Sequence, residues 1–394
     1  MALRSFAALG ILSLVWLGCG SSDSTEPGFQ STGDAGIDAQ ADVGADASAD
    51  VSTDTEPDAH ADAAEDAKQD ASDTGADAGC ALPPACDAPL PSLGDPRDFR
   101  HTSSTITAAI GSPRHRGRDL FILEGDDAWV LGKFSYGVLD DDIKDEDVDV
   151  YLLRDCGDTW TFVGTYLTTY DGDHATVHDV EDTGGRIYVN LTDEGIAPLG
   201  RGRHRILMVV GGDLSYTEQF IEVLHPDAKV VVTDIDGTLT SSEYAALTDV
   251  IGMPPADVHP GAPEMMNAFA QRGYHLFYLT ARPEWMMPLS REWIPLRGFP
   301  PGVLHTTLSK AGALGGAAVT YKSGELAWLK THTGIVPSYG FGNKDSDVEA
   351  YVGGGIEPSN CYYYALDSDL QGGTNHEDYN ALVSMAEAAP TACW

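Results

Sequence analysis

Residues 229–240 read "KVVVTDIDGTLT". The valine triplet is a continuous apolar run of the kind that forms a strand buried on both faces. Gly237 then lets the chain leave that strand sharply. Two carboxylates, Asp234 and Asp236, stand one residue apart where the strand should end. Like charges that close repel, and burial adds a desolvation cost, so the placement predicts a cation beside them.

Downstream the pattern alternates between strand and helix. "PGAPEMMNAFAQRG" reads as a helix stopped at Gly273, "YHLFYLTA" as a strand, and "PLSREWIPLRG" as a helix stopped at Gly298. "GELAWLKTHTG" is a third helix, "SYGFGN" a strand and "DSDVEAYVGGG" a fourth helix. Such alternation predicts an α/β fold with a parallel sheet covered on both faces, whose ligands bind beyond the carboxyl ends of the strands. Asp234 and Asp236 fall at that edge.

Upstream, from Phe99 to His225, seven short runs are separated by Gly/Asp turns, from "DLFILEG" through "VDVYLLRD" to "TEQFIEVLH". No helix-period stretch interrupts them, and they predict an antiparallel β-sandwich. The acidic "LDDDIKDEDVD" (139–149) lacks the spacing of a calcium loop and reads as a solvated turn.

The chain has 394 residues, with 61 acids against 23 bases and a formal net charge of −38. That balance argues against retention on DNA, RNA or an anionic lipid surface by bulk electrostatics, while leaving room for one local cationic or metal-bearing pocket. The start, "MALRSFAALGILSLVWLGCGSSDS", fits an export signal: Arg4 supplies the charge, Phe6–Leu17 the apolar core, and Cys19 the position a bacterial lipoprotein acylates. Residues 20–79 are rich in Ala and Asp with Lys68 as their only base, so they cannot bury enough surface to offset ordering entropy. The expected organisation is a lipoprotein signal at 1–19, a disordered acidic linker at 20–94, a β-sandwich at 95–226 and an α/β domain at 227–394. The expected location is the outer membrane, through a lipid anchor on Cys19. In an exported chain the five remaining cysteines read as disulfide partners, with Cys80–Cys86 and Cys361–Cys393 the first local pairings and at least one thiol left over.

Chemistry at the strand ends follows from the residue types. A magnesium ion would neutralise the carboxylate pair. Asp234 could then attack phosphorus as a carboxylate nucleophile, with Asp236 protonating the leaving oxygen and later deprotonating water. Here the chain resembles the haloacid-dehalogenase (HAD) phosphatases, whose first motif is this DxDGT. The resemblance implies that Thr280 in "LFYLTARP" holds the phosphate and that Lys322 in "TYKSGELAWLK" offsets its charge, with Lys310 the competing lysine. It implies Asn343 and Asp347 in "GFGNKDSDVEAY" as metal residues with Asp234 and Asp236, and a phosphate-binding lining of Gly237, Thr238, Ala281 and Arg282. Together these motifs are similar to the lipin-type phosphatidate phosphatases and to the LNS2 domain of phosphatidylinositol-transfer proteins, over roughly Asp227 to Leu370. The implied function is magnesium-dependent hydrolysis of phosphatidic acid or a related lipid phosphate. The alternatives are non-catalytic phosphatidate binding and hydrolysis of a soluble phosphomonoester.

Neither Leu239–Tyr274 nor Pro283–Thr320 has room for a large lid, so the resemblance implies a HAD-like fold with a minimal cap and an open site. Trp285, Met286 and Met287, just after the second motif, are candidates to dip into a lipid interface; packing in the following helix is their alternative.

Overall fold

The computed structural model describes residues 80–241 and 255–393. The export signal, Cys19 and the linker as far as residue 79 lie outside the described residues. The sandwich is preceded by a helix, α1 (Thr102–Ile110), which the turn-rich pattern of this half of the chain did not suggest. Its strands are β1 (Arg116–Gly117), β2 (Leu120–Leu123), β3 (Trp129–Lys133), β4 (Ser135–Tyr136), β5 (Asp141–Asp142) and β6 (Asp147–Leu153). They continue as β7 (Trp160–Leu167), β8 (Arg186–Asn190), β9 (Gly202–Val210) and β10 (Tyr216–Leu224). All seven expected runs are strands.

They form a three-stranded sheet, β1-β3-β8, and a five-stranded sheet, β2-β10-β9-β6-β7. The pairing is not wholly antiparallel as expected: β2 runs parallel to β10, Leu120 opposite Ile221. The two strands are separated by most of the domain's length, so no hairpin joins them and a parallel pairing is open to them.

The second domain comprises β11 (Val230–Thr233), α2 (Ala262–Gln271), β12 (His275–Leu279), α3 (Met287–Leu296), β13 (Val303–His305) and α4 (Gly316–Thr333). It ends with β14 (Tyr339–Gly342), α5 (Asp345–Gly353), β15 (Cys361–Tyr364), β16 (Thr374–His376) and α6 (Asn380–Glu387). Six strands lie in the order β13-β12-β11-β14-β15-β16, all parallel. This parallel sheet is consistent with a HAD-like fold.

Alternation along β11 divides the core. Val231 faces a layer with Met265, Phe269 and Trp293 of α2 and α3, while Val230 and Val232 belong to the other layer. That second layer is shared: Leu326 and Trp328 of α4 join Leu120, Phe121 and Ile122 of the sandwich in one apolar cluster. The sandwich thus completes the cover of the parallel sheet.

A chain of buried ions crosses the same seam. Asp119 accepts two bonds from the Arg291 guanidinium and one from each backbone N–H of Phe220 and Leu304. Arg118 donates to both oxygens of Glu325 at 2.6 Å, and His305 bridges Glu325 to the Asp119 carbonyl. The acidic 139–149 stretch is part of this packing, which corrects its reading as a solvated turn. Asp140 and Glu146 are 2 % exposed. Arg116 holds Asp140, Lys133 pairs with Asp142, and Arg97 grips Asp149.

The disulfides are Cys80–Cys393 and Cys86–Cys156, with Cys361 free and buried. Neither local pairing forms; both bridges instead fasten the arm after residue 79. Residues 80–94, placed in the linker from composition, carry no helix or strand but are held to the body. Cys80 N–H donates to Gln271, Arg205 to the carbonyls of Cys86 and Ala88, and the Trp160 indole to Pro89. Among the described residues no helix is long and apolar enough to cross a membrane.

Candidate active site

Parallel pairing of β11 with β14 (Val231 opposite Tyr339) and with β12 (Val230 opposite His275) brings three strand ends level. Asp234 continues the ladder, its N–H donating to Phe341. The chain then turns through Gly237 at φ +78°, a conformation that costs glycine little. At the end of β14, Gly342 has no Cβ because one would overlap the Asp347 side chain.

Asp234, Asp236, Thr280 and Lys322 line one cleft of about 230 Å³, with Ala281, Arg282 and Pro283 on one wall and Ala313, Leu314, Lys344 and Ser346 around it. Lys322 is 2 % exposed, not a surface residue, and donates to Asp234 at 2.9 Å and to Asp347 at 2.5 Å. Lys310, the competing lysine, instead binds the Asp140 carbonyl of the sandwich at 2.6 Å. Asp347 is fully buried; its other oxygen accepts the backbone N–H groups of Asn343 and Lys344 and so caps α5. Asp345 is exposed. The Thr238 hydroxyl lies 3.0 Å from Asn343 Oδ1 and 3.4 Å from Asp234 Oδ2. Gly237 and Thr238 form the turn under the cleft, and Tyr379 donates to the Thr238 carbonyl from below.

Arg282 has a role that its sequence position did not reveal. Its guanidinium is buried and donates to both oxygens of Asp236 at 2.8 Å, and to Ser290 at 2.9 Å. Thr280 Oγ1 lies 3.3 Å from the same Asp236 carboxylate. Asp236 therefore directs its side chain at Arg282. Lys344, which no motif had singled out, stands on the cleft wall. Met286 and Met287 are buried, 2 % and 3 % exposed, because α3 packs them inward. That removes them from any interface. Trp285 is half-buried, donating to the Lys310 carbonyl beneath the Arg114 guanidinium.

The electrostatics are unbalanced at Asp234. Burial raises its carboxyl; Lys322 opposes that, Asp347 and Asp236 add to it, and the result is about 6. Three inner carboxylates, Asp234, Asp236 and Asp347, meet two inner cations, Lys322 and Arg282. Among the described residues no three His, Cys, Asp or Glu side chains are grouped to hold a metal by themselves. Of the four residues expected at a metal, Asp236 is held by Arg282, and Asp347 by Lys322 and the start of α5. The side-chain donors suited to a hard cation are therefore the carboxylate of Asp234 and Oδ1 of Asn343. That is a sparse set, which fits magnesium, an ion that keeps several waters and takes one or two carboxylates plus substrate phosphate.

Residues 231–365 match the family described as "PITM 1-3, LNS2 domain", and residues 113–223 that described as "PITM 1-3, beta-sandwich domain". The chain is similar to protein retinal degeneration B of Drosophila melanogaster, 29 % identical over 68 % of this chain and 20 % of that one. It is likewise 29 % identical to membrane-associated phosphatidylinositol transfer protein 1 of Homo sapiens, over 63 % of this chain and 18 % of that one. Against membrane-associated phosphatidylinositol transfer protein 3 of Homo sapiens it is 28 % identical, over 48 % and 18 %. The chain thus spans about a fifth of the length of the curated relatives it matches. The residues that match the beta-sandwich model precede those that match the LNS2 model.

Proposed function

We propose that the cleft hydrolyses a phosphomonoester, with phosphatidic acid or a related lipid phosphate as substrate. The observation that carries this reading is Asp234: a buried carboxylate at a strand end, under-neutralised by Lys322, facing an open cleft beside Thr280. An Asp234 oxygen attacks phosphorus, the ester P–O bond breaks, and Asp236, having parted from Arg282 and taken a proton from solvent, passes that proton to the leaving oxygen. Water then attacks phosphorus, Asp236 takes the water's proton, and the bond to Asp234 breaks. Both Asp236 oxygens accept from Arg282, so its proton work requires that pair to shift as substrate enters. Thr280 and Lys322 hold the phosphoryl oxygens. A phosphomonoester dianion adds two negative charges to an already acidic cleft, and Mg²⁺ held by Asp234 and Asn343 would offset them and polarise the phosphoryl group. The lipid assignment is supported by two of the relatives, which are named as membrane-associated phosphatidylinositol transfer proteins.

The Arg282–Asp236 pair also favours a second reading, in which the cleft binds the lipid phosphate without turning it over. One assay separates them: phosphate release from phosphatidic acid in mixed micelles, with and without Mg²⁺. Hydrolysis predicts release that needs the metal and falls at least about 10⁴-fold in Asp234→Asn. Binding without release would establish the second reading. We also propose that the protein is exported and tethered through Cys19; its two disulfides suit an oxidising compartment.

A further inference from the structure

Among the described residues, four large apolar side chains are more than three-quarters exposed: Val138 (88 %), Leu314 (85 %), Ile110 (83 %) and Leu139 (78 %). The next, Leu296, is 63 % exposed. Single exposed aliphatics need no explanation. These four, however, lie on three segments linked in series by close contacts, the last of which lines the cleft.

Ile110 ends α1. The residue after it, Gly111, approaches the next segment so closely that a Cβ there would stand 2.6 Å from the Gly137 nitrogen. Gly137 opens the β4–β5 turn, whose tip is Val138 and Leu139. The following Asp140 accepts Lys310 Nζ on its carbonyl at 2.6 Å. Lys310 begins the loop that carries Leu314 into the wall of the cleft with Asp234 and Lys322. That loop is fixed: Ala313 N–H donates to Ala281 at 3.0 Å, and the Trp285 indole to Lys310 at 3.0 Å. Arg114 lies over Trp285 at 4.1 Å.

We propose that Ile110, Val138, Leu139 and Leu314 insert into a phospholipid bilayer, with Trp285, Arg114 and Lys310 at the level of the headgroups, so that the cleft opens onto the membrane surface. This deepens the lipid-phosphate reading and rests on it for the substrate. The tips are separate, carried on a helix end, a hairpin and a loop. A fluid bilayer accepts such tips one by one, whereas a protein partner rewards a continuous face with paired backbone. Their surroundings suit anionic headgroups: Lys310 is half exposed although it also pairs with Asp140 at 3.6 Å, Lys344 stands on the cleft wall, and Asp140 and Asp142 are held as well by Arg116 and Lys133. In a chain of net charge −38, such a rim is a local departure.

The test uses the full chain carrying Cys19→Ser, so that acylation plays no part, sedimented with phosphatidylcholine vesicles with and without phosphatidic acid. The combined Ile110→Ser, Val138→Ser, Leu139→Ser variant should lose at least about tenfold in partitioning to both. Its turnover of vesicle-borne phosphatidate should fall in parallel, while that of a short-chain soluble analogue stays unchanged. Leu314→Ser alone, which guards against misfolding of the triple variant, should lose about two- to fivefold in partitioning with an unchanged melting temperature. Unaltered partitioning of both variants would overturn the proposal. So would a wild-type dimer that the triple variant lacks, since the face would then serve self-association. If the wild type turns over nothing, the hydrolase reading fails by itself and the sedimentation still decides the docking.

Discussion

Two buried carboxylates, less than one hundred residues apart, have been given opposite environments. Burial works against the charge of both. At the seam, Arg118 and then His305 outweigh it and hold the Glu325 carboxyl at about 2. In the cleft, Lys322 does not outweigh burial and the neighbouring Asp347 and Asp236, and Asp234 stays at about 6. Glu325 has every partner it needs and acts as a fastening between the sandwich and α4. Asp234 is left short of positive charge where a cleft is open beside it. A carboxylate held under strain of this kind is what a site for a cation and a phosphate requires, and the fully paired one is what an interface requires.

The largest effect expected from this contrast is at the seam. Glu325→Gln should destabilise the protein by about 3–5 kcal/mol, because the buried guanidinium of Arg118 loses its counter-ion. Denaturant midpoints of wild type and variant at neutral pH would measure it. In the wild type the Glu325 contribution should be complete above about pH 4.5 and disappear as pH falls toward about 2, since its folded value is depressed. A smaller effect of opposite sign is expected in the cleft. Because the folded value of Asp234 is raised, its ionisation lowers stability as pH rises from about 4 to about 6. Asp234→Asn should therefore be more stable than wild type at pH 7 by about 1–3 kcal/mol, with the gain gone near pH 4. A destabilised Asp234→Asn at pH 7 would mean that the cleft is as well paired as the seam.

Much of the second domain was legible because its signals are local. The apolar "VVV" run, the helix periods and the glycine stops mark strand and helix, and strand-end placement brings Asp234, Asp236, Thr280 and Lys322 to one cleft. What escaped depends on residues far apart in the chain. Arg282, expected on the phosphate-binding lining, pairs with Asp236, 46 residues back. The acids of 139–149 found Arg97, Arg116 and Lys133, partners that charge density alone does not reveal. Cys80 joins Cys393 across 313 residues, since the arm returns to the end of the chain rather than closing a local loop. The interfacial residues were sought at Trp285 to Met287 by adjacency to a motif, whereas burial turned both methionines inward.

The account turns on Asp234 carrying the phosphoryl group. Protein mixed with ³²P-labelled phosphatidic acid and Mg²⁺, quenched in acid within one turnover, should yield a labelled peptide containing Asp234, and Asp234→Asn should yield none. Phosphate release that continues without a covalent label and survives Asp234→Asn would contradict it.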